Sequence, residues 1–178
     1  MYYRRKILLA LIELFGGQLT AKCLQKYLFL FTRKQSLKAY DFIPYRYGCF
    51  SFQANQDLST MQKYGYIDIV EQEHGRYIQL KESGNYLSLL DLFDRQALIS
   101  IKEEFGHYSQ NELIRYTYQK YPYYAINSTI AHELLNTAEL ETVVRQKKKY
   151  NEPQLFTIGY EGITLETYIN KLIINDVH

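Results

Sequence analysis

The sequence predicts a mainly α protein carrying one small β-hairpin, and three observations predict it. Apolar residues recur at helical spacing near the start of the chain. Two short β-patterned runs, Tyr66–Val70 and Arg76–Leu80, flank a polar stretch, Glu71 to Gly75, that ends in glycine. Helical spacing then returns in several segments between residues 82 and 145. A length of 178 residues accommodates one domain, or one and part of a second.

The first expected helix covers residues 3–15, where Ile7, Leu8, Leu11, Ile12 and Phe15 share helical spacing. Gly16-Gly17 stops it, because glycine tolerates the left-handed cap conformation. Thr20 is the expected N-cap of a second helix over residues 20–33. Leu24, Tyr27, Leu28 and Phe31 line one of its faces, and Phe29 and Leu30 widen that stripe, which predicts burial on more than one side. Residues 34–50, with Pro44, Gly48 and four aromatics from Tyr40 to Tyr47, read as irregular. Ser51 caps a third helix that runs to Tyr64 and ends at Gly65. After the hairpin, helices are expected at 82–93, 95–105, 109–121 and 127–145, punctuated by Gly84, Gly106 and Pro122. Lys147-Lys148-Lys149 with Asn151-Glu152-Pro153 reads as a linker. Beyond it Leu155–Ile158 is strand-like, and Thr164 caps a last helix to about Ile174.

Helix, helix, helix, hairpin is the order of a winged helix-turn-helix. The expected organisation is such a domain over 1–85, a helical extension over 86–146, the linker over 147–154, and the first strand and helix of an incomplete α/β domain over 155–178. A single strand and helix cannot cover both faces of an α/β sheet, which predicts that the chain is a fragment or a truncation of something longer.

Composition narrows the function classes. Hydrophobic residues make up 47% and charged residues 22%, enough for a core. No apolar run approaches membrane-spanning length, and Glu13 breaks the apolar stretch after the basic start, so neither a membrane span nor a signal peptide is expected and the location defaults to the cytoplasm. Cys23 and Cys49 lack zinc spacing, and Cys23 reads as a small core residue. The four histidines lack metal spacing, and Gly16-Gly17-Gln18 lacks the lysine and serine of a phosphate loop. No catalytic set, metal site or cofactor is therefore expected. Charge is uneven. Residues 1–64 hold ten Lys/Arg against three Asp/Glu, and residues 65–178 hold eleven against sixteen. The basic half suits a polyanion.

Placed on a helical wheel, Ala54, Leu58, Met61 and Gly65 of the third helix share a face that must pack inward. Gln56, Ser59, Thr60 and Lys63 lie opposite, with Gln53 and Asn55 beside them, and Asp57 falls next to the inward stripe. Amides and hydroxyls read base edges, and lysine meets guanine or phosphate. Arg4, Arg5, Lys6, Lys22, Lys26, Arg33, Lys34, Lys38 and Arg46 are candidate phosphate contacts, with Lys22 and Lys26 on one helix face. The hairpin tip carries Glu71, Glu73 and His74 with Arg76 as its basic residue. That argues against deep minor-groove insertion and suits protein contact, or light backbone contact through Arg76.

Gly65-Tyr66-Ile67 followed by Tyr77-Ile78-Gln79-Leu80-Lys81-Glu82-Ser83-Gly84 resembles the G-(L/Y)-I … L-T-x-x-G stretch of winged-helix regulators, with lysine in place of threonine. Leu24-Gln25-Lys26-Tyr27-Leu28-Phe29 and Pro44-Tyr45-Arg46-Tyr47-Gly48 resemble a pattern of the SocA-like (Panacea) antitoxin family, with Cys49 where that pattern carries proline. Phe156-Thr157-Ile158-Gly159-Tyr160-Glu161-Gly162 and Leu165-Glu166-Thr167-Tyr168 resemble the start of the family called domain of unknown function 488. The latter resemblance implies a strand ending at Gly159, where such sheets place ligands.

Three functions are therefore expected in order. The first is a DNA-binding regulator or nucleic-acid-targeting module with double-stranded DNA as partner. The second is an antitoxin-like module that holds a protein partner. The third is the targeting part of an enzyme whose chemistry lies outside this chain. Tyr116, Tyr118, Tyr121, Tyr123 and Tyr124 motivate a homodimer through the later helices.

Overall fold

Caps and apolar stripes locate most of the helices. In the computed structural model, which describes residues 1–73, 75–148, 150, 152 and 154–177, the helices are α1 (Tyr3–Leu14), α2 (Ala21–Lys34), α3 (Phe52–Lys63), α4 (Leu92–Phe105), α5 (Gln110–Lys120), α6 (Ala131–Leu134), α7 (Thr137–Val144) and α8 (Leu165–Ile174). The strands are β1 (Gln18–Thr20), β2 (Ile43–Tyr45), β3 (Gly48–Phe50), β4 (Ile67–Gln72) and β5 (Gly75–Leu80), and 3-10 turns cover Tyr86–Leu89 and Pro122–Ala125. The protein is mainly α with a small antiparallel hairpin, as the sequence predicts. The chain divides into two compact units. One comprises Met1–Tyr40 and Ser51–Leu113, the other Asp41–Phe50 and the chain from Ile114 onward. The units interrupt one another in sequence, which a reading in consecutive segments does not anticipate.

In the first unit, α1 ends where Gly16 and Gly17 take φ of +88° and +84°, a region closed to most side chains. The chain turns there into β1, a strand absent from the sequence reading. It pairs antiparallel with β5, Leu19 opposite Ile78, so the sheet order is β1-β5-β4. Three residues carry too little periodicity to announce a strand. The Thr20 side chain accepts from Cys23 N at 3.2 Å and caps α2. Ile7 to Ile12, Leu24, Leu28, Phe29, Leu58, Met61, Ile67 and Ile78 are buried, and α1 packs against α2, α3 and β5. Cys23 is half-buried rather than a core residue.

The expected helix over 82–93 does not form. Glu13 of α1 accepts from Gly84 N at 3.2 Å and Leu87 N at 3.1 Å, which holds this segment as a strap ending in a 3-10 turn. Asp91 then accepts from Asp94 N at 2.8 Å and starts α4. A side chain at Gly84 would need the neighbouring ring to move. A Cβ there would lie 2.4 Å from the ring of Tyr86.

In the second unit, residues expected to be irregular form a two-stranded hairpin, β2 with β3, in which Tyr45 faces Gly48. Pro44 discouraged a strand reading, yet a proline without N–H is tolerated in a two-stranded edge. The expected helix over 127–145 is broken into α6 and α7 by a capping box at Asn136. Its side chain accepts from Glu139 N at 3.0 Å, and Glu139 accepts from Asn136 N at 2.9 Å. Ile114, Tyr118, Ala125, Ala131, Leu135 and Val143 form the core. Thr164 caps α8 as expected. Leu155–Ile158 is not a strand. No neighbouring strand pairs with it among the described residues, and Leu155 is exposed. Lys149, Asn151 and Pro153 of the expected linker lie outside the described residues, as do His74 and His178.

Candidate nucleic-acid interface

The site is built on α3. Ser51 starts it, its hydroxyl accepting from Ala54 N at 3.2 Å. Buried Gln25 of α2 grips the same residue, donating to Ser51 O at 3.4 Å and accepting from Ser51 N at 2.8 Å. This two-way contact ties the first residue before α3 to α2. Ala54, Leu58 and Met61 face inward as the wheel predicts, whereas Gly65 is exposed.

Asp57 also faces inward, at 1% exposure. Its carboxylate accepts from Arg4 Nε at 2.5 Å, Arg4 Nη2 at 3.3 Å, Arg5 Nε at 2.7 Å and the Tyr40 hydroxyl at 3.1 Å. Burial raises the pKa of such a group, but the hydrogen bonds and charges of the two arginines outweigh it and hold the carboxyl below its ordinary value. Burial beside that carboxylate pushes the Tyr40 hydroxyl up, so it remains a donor. Arg4 and Arg5, candidates for phosphate contact, are thereby committed to α3. The sequence reading missed this cluster, whose other members lie 17 to 53 residues from Asp57. The one available signal was an acidic residue beside the apolar stripe, which needs a cationic partner when buried.

The outward face of α3 contains Asn55, Gln56, Ser59 and Lys63, all exposed, with Gln53 and Thr60 half-buried at its borders. Ser59 donates to Asn55 O at 3.2 Å and Thr60 to Gln56 O at 3.0 Å, so their oxygens stay available as acceptors. Phe52, exposed at 53%, belongs to the same stripe and was absent from the candidates. Spacings of three, four and seven residues from Phe52 reach Asn55, Gln56 and Ser59.

The basic candidates divide. Lys22 is half-buried at the start of α2. Lys26, one turn on, is 1% exposed and belongs to the interior, so the expectation that both face a phosphate is corrected. The apolar stripe of α2 is wide enough to enclose it. Lys34 reaches Ser100 Oγ at 3.0 Å and Glu104 at 3.4 Å. Arg76 pairs with Glu71 across the hairpin at 2.9 Å, and Lys81 with Asp68 at 3.2 Å. Arg46 lies in the second unit, in the turn between β2 and β3, where its carbonyl accepts from Thr129 N at 2.9 Å. Of the tyrosines that motivated a dimer, Tyr118 and Tyr124 are buried in their own unit.

Beside the end of α3, Met1, Tyr2, Arg5, Met61, Tyr64 and Tyr66 line an open groove of about 590 Å³. Among the described residues no cluster of three His, Cys, Asp or Glu side chains is placed to hold a metal, and no helix is long and apolar enough to cross a membrane. Comparison with protein-family models finds no matching family, and comparison with curated proteins finds no match.

Proposed function

We propose that the first unit is a winged helix-turn-helix that binds double-stranded DNA, with α3 in the major groove. The observation that carries this reading is the outward face of α3. Asn55, Gln56, Ser59 and Lys63 form an exposed stripe free of carboxylates, because the helix's one acidic residue, Asp57, is turned inward and paired with two arginines. Such a face can approach phosphates without repulsion and offers the groups that read base edges. Lys63 and Lys22 supply backbone contact. The hairpin contributes little positive charge, since Glu71 already holds Arg76.

The test is a titration of duplex DNA at two salt concentrations. Affinity that falls steeply with salt, and that drops in Lys63→Glu and Gln56→Ala, is the expected result. Absence of binding at low salt overturns the reading.

A second reading is a module that holds a protein partner. The groove of Tyr2, Tyr64 and Tyr66 and the neutralised Arg76 favour it, since tyrosines serve half-wet contacts. A pull-down that survives Gln56→Ala and is lost in Tyr64→Ala with Tyr66→Ala supports this reading over the first.

A further inference from the structure

We infer that α3 reads adenine·thymine pairs, with Phe52 against a thymine methyl and Asn55 and Gln56 on adenine edges; the inference rests on α3 entering the major groove as proposed above. The stripe has a chemical order along the helix. Its first turn presents Phe52, Asn55 and Gln56, all exposed, and its last turn presents Lys63.

In the major groove adenine shows an acceptor, N7, beside a donor, N6. A carboxamide carries a donor and an acceptor at matching separation, so asparagine or glutamine pairs with adenine through two hydrogen bonds. Guanine shows two adjacent acceptors, which suit arginine or lysine instead. The first turn of α3 presents two exposed amides, Asn55 and Gln56, and residues 52–56 hold no cation. Thymine is also the one base with a methyl group in this groove, and an exposed aromatic edge is apolar surface that the methyl can cover. Phe52, 53% exposed, offers such a surface from the leading turn of the stripe. The charge balance agrees, because Asp57 is withdrawn and neutralised, while Lys63 stands about two turns beyond Gln56, placed for a guanine or a phosphate.

The experiment selects duplexes from a random library with the full chain, then measures affinity for the best duplex and for versions in which thymines are replaced by uracil. Uracil removes the methyl and leaves base pairing intact. Enriched duplexes are expected to share adenine·thymine pairs. Uracil at the contacted position is expected to lower affinity about fourfold, the worth of one buried methyl-sized group. In Phe52→Ala that difference disappears. Gln56→Ala or Asn55→Ala relaxes the preference at one pair by about tenfold.

Binding with no adenine·thymine enrichment overturns this inference and leaves DNA binding standing. So does an equal response to uracil in the native chain and in Phe52→Ala. Failure to bind any duplex overturns both. Circular dichroism of each variant separates loss of contact from loss of fold.

Discussion

Arg4 of α1 and Asp57 of α3 meet through a 2.5 Å charge-assisted hydrogen bond, with Asp57 almost fully buried and Arg4 44% exposed. Arg5 shares the same carboxylate at 2.7 Å. The start of the chain is thus fastened to the middle of the helix that carries the candidate interface.

Removing Asp57 leaves two guanidinium groups facing a buried gap. Asp57→Ala is expected to destabilise the protein by about 3 kcal/mol, the scale for breaking a buried pair from one side. Arg4→Ala is expected to cost only about 1 kcal/mol, because Arg5 and Tyr40 still satisfy the carboxylate. Urea unfolding of both variants checks the contrast. Equal losses would show that Arg5 does not compensate.

Stability should also depend on acidity through this group. The Asp57 pKa is lower in the folded chain than its ordinary value of 3.8. Its contribution is therefore fully present above about pH 4 and is lost as pH falls through the folded pKa. Urea midpoints measured from neutral pH down to about pH 3 should fall more steeply in the native chain than in Asp57→Asn. Parallel curves would assign the acid sensitivity to other carboxylates.

Gly84→Ala places a Cβ 2.4 Å from the Tyr86 ring. The ring is the far end of a side chain and can swing aside, so the expected cost is about 1 kcal/mol rather than collapse. The same substitution made in a Tyr86→Ala background should cost distinctly less. A double-mutant cycle reads that coupling.

Asn170 anchors α8 within the second unit. It donates to Phe42 O at 2.9 Å and accepts from the Tyr123 hydroxyl at 2.8 Å. Asn170→Ala is expected to cost about 2 kcal/mol, from two lost hydrogen bonds. Amide exchange should quicken along residues 165–174 before it does in the first unit. Uniform exchange across both units would mean that α8 does not open on its own.

Lys63→Ala is expected to weaken duplex binding and to lower the salt slope by about one. Arg76→Ala should leave both nearly unchanged, because Glu71 already pairs with that guanidinium. The reverse order would place the hairpin, not α3, at the phosphate backbone.

Elements whose signals are local were legible in the order of residues. Thr20 and Ser51 cap helices because a short side-chain oxygen can reach the amide three residues on. Ala54, Leu58 and Met61 turned inward because helical spacing puts them on one face. The alternating runs after Gly65 became β4 and β5. The capping box at Asn136 was equally local and could have been read from its Asn-x-x-Glu spacing. Relations between distant residues emerge in the folded chain alone. Arg4, Arg5 and Tyr40 close on Asp57, Gln25 grips Ser51, Glu13 straightens a would-be helix into a strap, and Lys26 goes inside while Lys22 stays half-exposed. Charge alone predicts contact with water or phosphate. A charge far along the chain can claim the same group first, and only the folded geometry says which of them is within reach.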